Sequence, residues 1–113
     1  MTLYTSYFAR AGNNPQAVSI ARSTPRFFTG SEYKVVAPPW ELVDNYKKNV
    51  ITWEQYTEQY LSILDKLGES KVISGLHDGD ILLCYEKCGD NCHRHLLAKW
   101  LNDRGHNVTE LGG

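Results

Sequence analysis

Residues 81–111 read ILLCYEKCGDNCHRHLLAKWLNDRGHNVTEL, and their pattern decides the fold. Ile81 to Tyr85 is an uninterrupted run of Ile, Leu, Leu, Cys and Tyr after the turn signal Asp78-Gly79, as expected of a strand buried on both faces. From Asn91 or Cys92 a helix follows, with Leu96, Leu97, Trp100 and Leu101 on one side and Gly105 at its end. Asn107 to Leu111 then returns as a strand. A strand, loop, helix and strand in this order imply a right-handed crossover between two parallel strands. The expected fold class is therefore α/β: a small domain with a mostly parallel sheet, helices packed on it, and a site at the carboxyl end of a central strand.

Upstream, Leu3 to Phe8 reads as a first strand, and the Gly12-Asn13-Asn14-Pro15 cluster as a loop. Val18 to Ala21 reads as a second strand, residues 22–26 as loop, and Tyr33 to Val36 as a short strand or extended segment before Pro38-Pro39. Pro39 suits a helical first turn, and Trp40, Val43 and Tyr46 recur at helical spacing up to Lys48. A clearer helix begins at Thr52, whose partner three residues on, Gln55, completes a capping-box signature. Trp53, Tyr56, Tyr60, Ile63, Leu64 and Leu67 trace its packing face before Gly68. Helical spacing assigns that aromatic stripe to the core rather than to a platform for stacked bases.

The chain has 113 residues, room for one core, so residues 1–113 are read as one domain. Twelve Lys and Arg against thirteen Asp and Glu leave a formal charge of -1, which disfavours nucleic acid or an anionic membrane as a bulk electrostatic partner. Any anion binding must be local. Apolar runs fall far short of the roughly 18 residues of a membrane span. Met1 to Ala11 lacks the pattern of a secretory signal, so a cytoplasmic protein is expected. Three cysteines, an odd number, at positions 84, 88 and 92 argue against a disulfide framework and are read first as thiols. No cofactor is called for, and the sequence sets no oligomeric state.

In parallel sheets the loop after a central strand is where ligands bind, and here it carries Glu86, Cys88, Cys92, His93 and Arg94. The positive end of the helix dipole disfavours cations in the first turn by about 0.3–1 kcal/mol each, yet His93, Arg94 and His95 stand there. A bound phosphate or carboxylate would account for them; so would pairing of Arg94 with Glu86 or Asp90. At the helix start Cys92 has the setting of an activated thiol nucleophile, or it is a small buried cysteine. Cys88 and Arg94 have the Cys-x5-Arg spacing of phosphatase loops, but Asp90 and the lack of Ser or Thr after Arg94 argue against that chemistry. Cys84, Cys88, Cys92 and His93 could ligate zinc, although their crowding into one stretch departs from the paired knuckles of such sites, and no metal is expected. Arg10, Arg22 and Arg26 each follow a strand and would join Arg94 in a cationic pocket if all strands run parallel.

Leu82-Leu83-Cys84-Tyr85-Glu86, then Cys92-His93-Arg94, Trp100 and Gly105, resemble the signature of the bacterial and phage proteins grouped as domain of unknown function 488. Tyr4-Thr5 and Arg22-x-x-Pro25 extend the resemblance towards the N-terminus. The chain departs from that pattern at Ile20, where an acidic residue is common, and in the short connection around Gly12 to Pro15. The resemblance groups Cys84, Glu86, Cys92, His93 and Arg94 as one unit and implies no reaction. Two function classes are open. In one, a phosphate-bearing ligand such as a nucleotide or nucleic-acid end meets Cys92 as nucleophile, Glu86 as acid or base, Cys84 beside them, and His93 and Arg94 as ligand-binding groups with Arg22, Arg10 and Arg26. In the other, a non-enzymatic module binds a small anion or a protein, and its cysteines are structural or hold zinc.

Overall fold

Ile81 to Cys84 has no exposed residue, and in a computed structural model, which describes residues 1–85 and 91–111, it is an inner strand of a five-stranded sheet. The strands are β1 (Thr2–Tyr7), β2 (Ala17–Ser19), β3 (Ser31–Glu32), β4 (Ile81–Cys84) and β5 (Asn107–Glu110). Their order across the sheet is β3-β2-β4-β1-β5, and every neighbouring pair is parallel. Strand β4 pairs with β1 from Tyr4 opposite Ile81, and with β2 from Ala17 opposite Ile81. The continuous apolar run thus follows from cover on both faces and both edges.

Successive side chains of β4 point to opposite faces, and the two faces are covered unequally. Leu82 joins the larger core with Leu3, Val18, Tyr60, Leu64, Leu97 and Leu101. Ile81 and Leu83 join a smaller one with Phe8, Ala17 and Phe28. Burying each leucine of this kind contributes roughly 1.5–3 kcal/mol. The larger core lies under the helices α3 (Trp53–Leu67) and α5 (His93–Asn102), with α2 (Trp40–Lys47) and α4 (Glu69–Ile73) flanking α3. The smaller core is closed by the single turn α1 (Phe8–Ala11) and the Phe27-Phe28 segment, whose rings meet Phe8 edge to face.

Helix α3 starts at the expected capping box: Thr52 Oγ1 accepts from Gln55 N–H at 3.2 Å, and Gln55 Oε1 accepts from Thr52 N–H at 2.8 Å. Thr52→Ala is expected to lower stability by about 1 kcal/mol, read as a fall in Tm of about 4 °C for a domain of this size. Gly68 and Gly105, which end α3 and follow α5, have φ of 83° and 91°, the left-handed region that side chains disfavour.

Three local expectations differ from the structure. Tyr33 to Val36 is not a strand: β3 stops at Glu32, and Lys34 to Val36 form a 3-10 turn. Long-range bonds hold that turn: Lys34 Nζ donates to the Ala21 and Arg22 carbonyls and Tyr60 Oη to the Val36 carbonyl. Helix α4 was not anticipated. In α2 the buried residue is Leu42, while Trp40 is 55% exposed and Val43 and Tyr46 face a cavity. The connection from β1 to β2 crosses β4 with one helical turn and the turn at Asn13 to Gln16.

Candidate functional site

The chain leaves β2 towards β3 on one side of the sheet and leaves β4 towards β5 on the other. Between the carboxyl ends of two adjacent strands whose connections diverge, a crevice must open, and ligands of open α/β sheets bind there. The structure has a cavity of about 140 Å³ at that place, lined by Ala21, Arg22 and Ser23 beyond β2 and by Cys84, Tyr85, Asn91, Cys92 and His93 beyond β4. Trp40, Val43, Tyr46 and Lys47 of α2 with Trp53 and Tyr56 of α3 form its opposite wall. Trp53 stacks on Tyr56 at 4.8 Å between ring centroids, and Tyr46 tilts against both. Tyr46 Oη accepts from Asn91 Nδ2 at 3.2 Å, bridging the aromatic wall to the loop before α5. Arg22 is held by its Nε and Nη2, which donate to the Pro38 and Ala37 carbonyls.

At the floor, Cys84 and Cys92 are joined by a disulfide, which corrects the reading of these cysteines as thiols. The odd count gave no partner assignment, whereas the fold brings the end of β4 to the N-cap of α5. Both cysteines are buried. Their sulfurs and a His93 ring nitrogen lie within 4.8 Å of one another, but sulfurs bonded to each other have no thiolate to offer a metal, so this oxidised state does not suit zinc. Glu86, Cys88 and Asp90 lie outside the described residues.

His93 is buried, and its Nε2 lies 2.8 Å from the Ile20 carbonyl, which can only accept; Nε2 therefore carries the proton. Burial holds the His93 pKa down at about 4, helped by the nearby charges of Arg94, Arg22 and His95 and opposed by the Ile20 hydrogen bond. At neutral pH the ring is uncharged, and its Nδ1 lone pair stands 3.9 Å from Cys92 Sγ. Ile20 thus supplies a backbone acceptor while its side chain is fully buried.

Arg94 also has 0% exposure, and the anion it meets is the protein's own. Its Nε and Nη2 grip Glu110 of β5 at 3.1 and 2.9 Å, and its Nη1 donates to Cys84 Sγ at 3.1 Å. Partial burial pushes the Glu110 carboxyl up, but hydrogen bonds from Arg94 and Thr5 outweigh it and hold the pKa below the ordinary value. Glu110 went unnoticed in the sequence; its signal was an acidic residue late in the last strand, at the same sheet edge as the α5 N-terminus. Of the other arginines, Arg22 lines the cavity, Arg10 Nε donates to the Leu111 carbonyl away from it, and Arg26 is exposed and is not among the cavity residues.

Residues 9–105 match the family model described as "Active DUF488-N3 subclade". The chain belongs to the DUF488 family. That match spans β2, the aromatic wall, the cysteine pair and α5, so the cavity is built wholly from the family's segment. No curated protein and no solved structure matches the chain. No helix among the described residues is long and apolar enough to cross a membrane.

Proposed function

We propose that the cavity between β2 and β4 binds the end of a phosphate-bearing ligand, a mononucleotide or nucleic-acid end, above the Cys84–Cys92 pair. The observation that carries this reading is the composition of the cavity: four aromatic rings on one wall, Trp40, Tyr46, Trp53 and Tyr56, with Arg22 and Lys47 beside them. A flat ring gains stacking area from the wall, and the two cations give the phosphate a partner that does not compete with Glu110 for Arg94. Its volume of about 140 Å³ is below the ~300–1,000 Å³ of pockets that enclose a drug-sized ligand. The cavity therefore suits one ring or one phosphate with the remainder of the ligand outside. Compared with the sequence reading, the anion moves from Arg94 to Arg22 and Lys47, while Cys92 and His93 still face the ligand.

The test is thermal unfolding of the oxidised protein with inorganic phosphate and with mononucleotides. Ligand at about 100 times its Kd adds roughly 2.7 kcal/mol, which raises Tm by several degrees. Lys47→Ala, an exposed position, is expected to remove most of that rise while leaving the unliganded Tm within about 2 °C. Equal shifts for the wild type and Lys47→Ala, or none with any of these probes, would remove the reading. A non-enzymatic role for the same cavity differs only in turnover and is separated by assaying ligand after incubation.

A further inference from the structure

The disulfide at the cavity floor is flanked by unlike groups. On Cys84 Sγ sits the Nη1 of a fully buried guanidinium at 3.1 Å; beside Cys92 Sγ, at 3.9 Å, stands the Nδ1 of a histidine whose other nitrogen is committed to the Ile20 carbonyl. A guanidinium stabilises a thiolate, and an unprotonated imidazole nitrogen accepts from a thiol. A structural bridge needs neither. From this asymmetry we infer that Cys84–Cys92 is a thiol–disulfide exchange centre that takes electrons from low-molecular-weight thiols entering the cavity, with Cys92 as the attacked sulfur and Cys84 as the leaving group.

The chemistry balances with two equivalents of thiol. An incoming thiolate attacks Cys92 Sγ; the S–S bond breaks, and its electron pair leaves on Cys84 as a thiolate against Arg94. The better-stabilised sulfur is the better leaving group, which directs the attack to Cys92. A second thiolate then attacks the sulfur of the bound thiol, releasing the small disulfide and a Cys92 thiolate that takes a proton from water. The resulting Cys92 S–H donates to His93 Nδ1. Two electrons pass from two thiols to the protein disulfide. The Arg94–Glu110 pair keeps the guanidinium in place: Glu110 holds two of its nitrogens, leaving Nη1 directed at sulfur.

Only the choice among thiols rests on the ligand reading above, because Arg22 and Lys47 at the cavity favour an anionic thiol. The probe is 2-mercaptoethanesulfonate, added to oxidised protein carrying Cys88→Ser, quenched with acid and mapped by mass spectrometry after alkylation. The expected first product has the probe on Cys92 and an alkylated Cys84. The charge-free pair Arg94→Met with Glu110→Leu, which removes both partners together, is expected to slow that step about tenfold, equivalent to about 1.4 kcal/mol. Absence of exchange in the folded single-site protein, the probe on Cys84, or an unchanged rate in a folded charge-free variant overturns the inference. Exchange on Cys92 that is as fast with cationic 2-aminoethanethiol at equal thiolate concentration supports the exchange centre and counts against the anionic-ligand reading alone.

Discussion

Glu110→Ala is expected to lower the unfolding free energy by about 3–5 kcal/mol, the range for removing one partner of a buried ion pair. The reason lies in Arg94, whose side chain is wholly buried while its carboxylate partner is only 20% exposed. Without Glu110 the guanidinium keeps its charge, and Nε and Nη2 lose their carboxylate in a place where water cannot readily replace it. Thr5 Oγ1, which donates to Glu110 Oε1 at 2.6 Å, loses its acceptor as well. Domains of this kind have a total stability of about 5–15 kcal/mol, so the loss is a large share. Urea unfolding measures it as a lower midpoint at unchanged slope. The charge-free pair Arg94→Met with Glu110→Leu is expected to recover most of the loss, since both desolvated charges go together. A cost for Glu110→Ala below about 1 kcal/mol, as for a surface pair, would show that Arg94 does not depend on this carboxylate.

What the sequence disclosed and what it hid differ by the distance over which residues interact. Strand β4, helix α5 and the capping box of α3 were legible because each is set by neighbours a few positions away: an apolar run, a 3.6-residue stripe, a Thr and Gln three apart. The place of the cavity was legible too, because parallel strands put their loops on one edge. The partners were not. Arg94 was expected to face a ligand or a nearby acid, yet its acid is sixteen positions away on a strand that lies beyond β1, a placement only the sheet order reveals. The Cys84–Cys92 bridge depends on the same closure between the end of β4 and the start of α5. The aromatic stripe of α3 was read as core, which holds for Tyr60; Tyr56 and Trp53 serve two purposes, packing in or against that core and walling the cavity. Periodicity cannot separate those purposes, because a cavity wall and a core face occupy the same side of a helix.

His93 makes the fold acid-sensitive well above the range in which carboxylates titrate. Its pKa is about 4 in the folded chain, with burial the main cause, and 6.5 when the chain is unfolded. Between these values the unfolded chain binds a proton that the folded chain refuses, so stability rises with pH across the window and falls as pH drops through it. Above about pH 6.5 the ring is neutral in both states and contributes no pH dependence. From there to pH 4 the cumulative loss is on the order of 3 kcal/mol, from 1.36 kcal/mol per pKa unit. Glu110 acts in a lower window: with its folded pKa held below 4.5, its contribution is intact above that value and disappears as pH falls through the folded pKa. Acid unfolding of the oxidised protein should therefore begin near pH 6.5 and steepen below 4.5. His93→Gln, which retains an N–H donor for the Ile20 carbonyl and cannot titrate, is expected to flatten the upper window and leave the lower one in place. Urea midpoints measured from pH 7.5 to 4 provide the comparison, and a wild-type slope between pH 6.5 and 4.5 equal to that of His93→Gln would show that the histidine can admit the proton without leaving its place against Ile20.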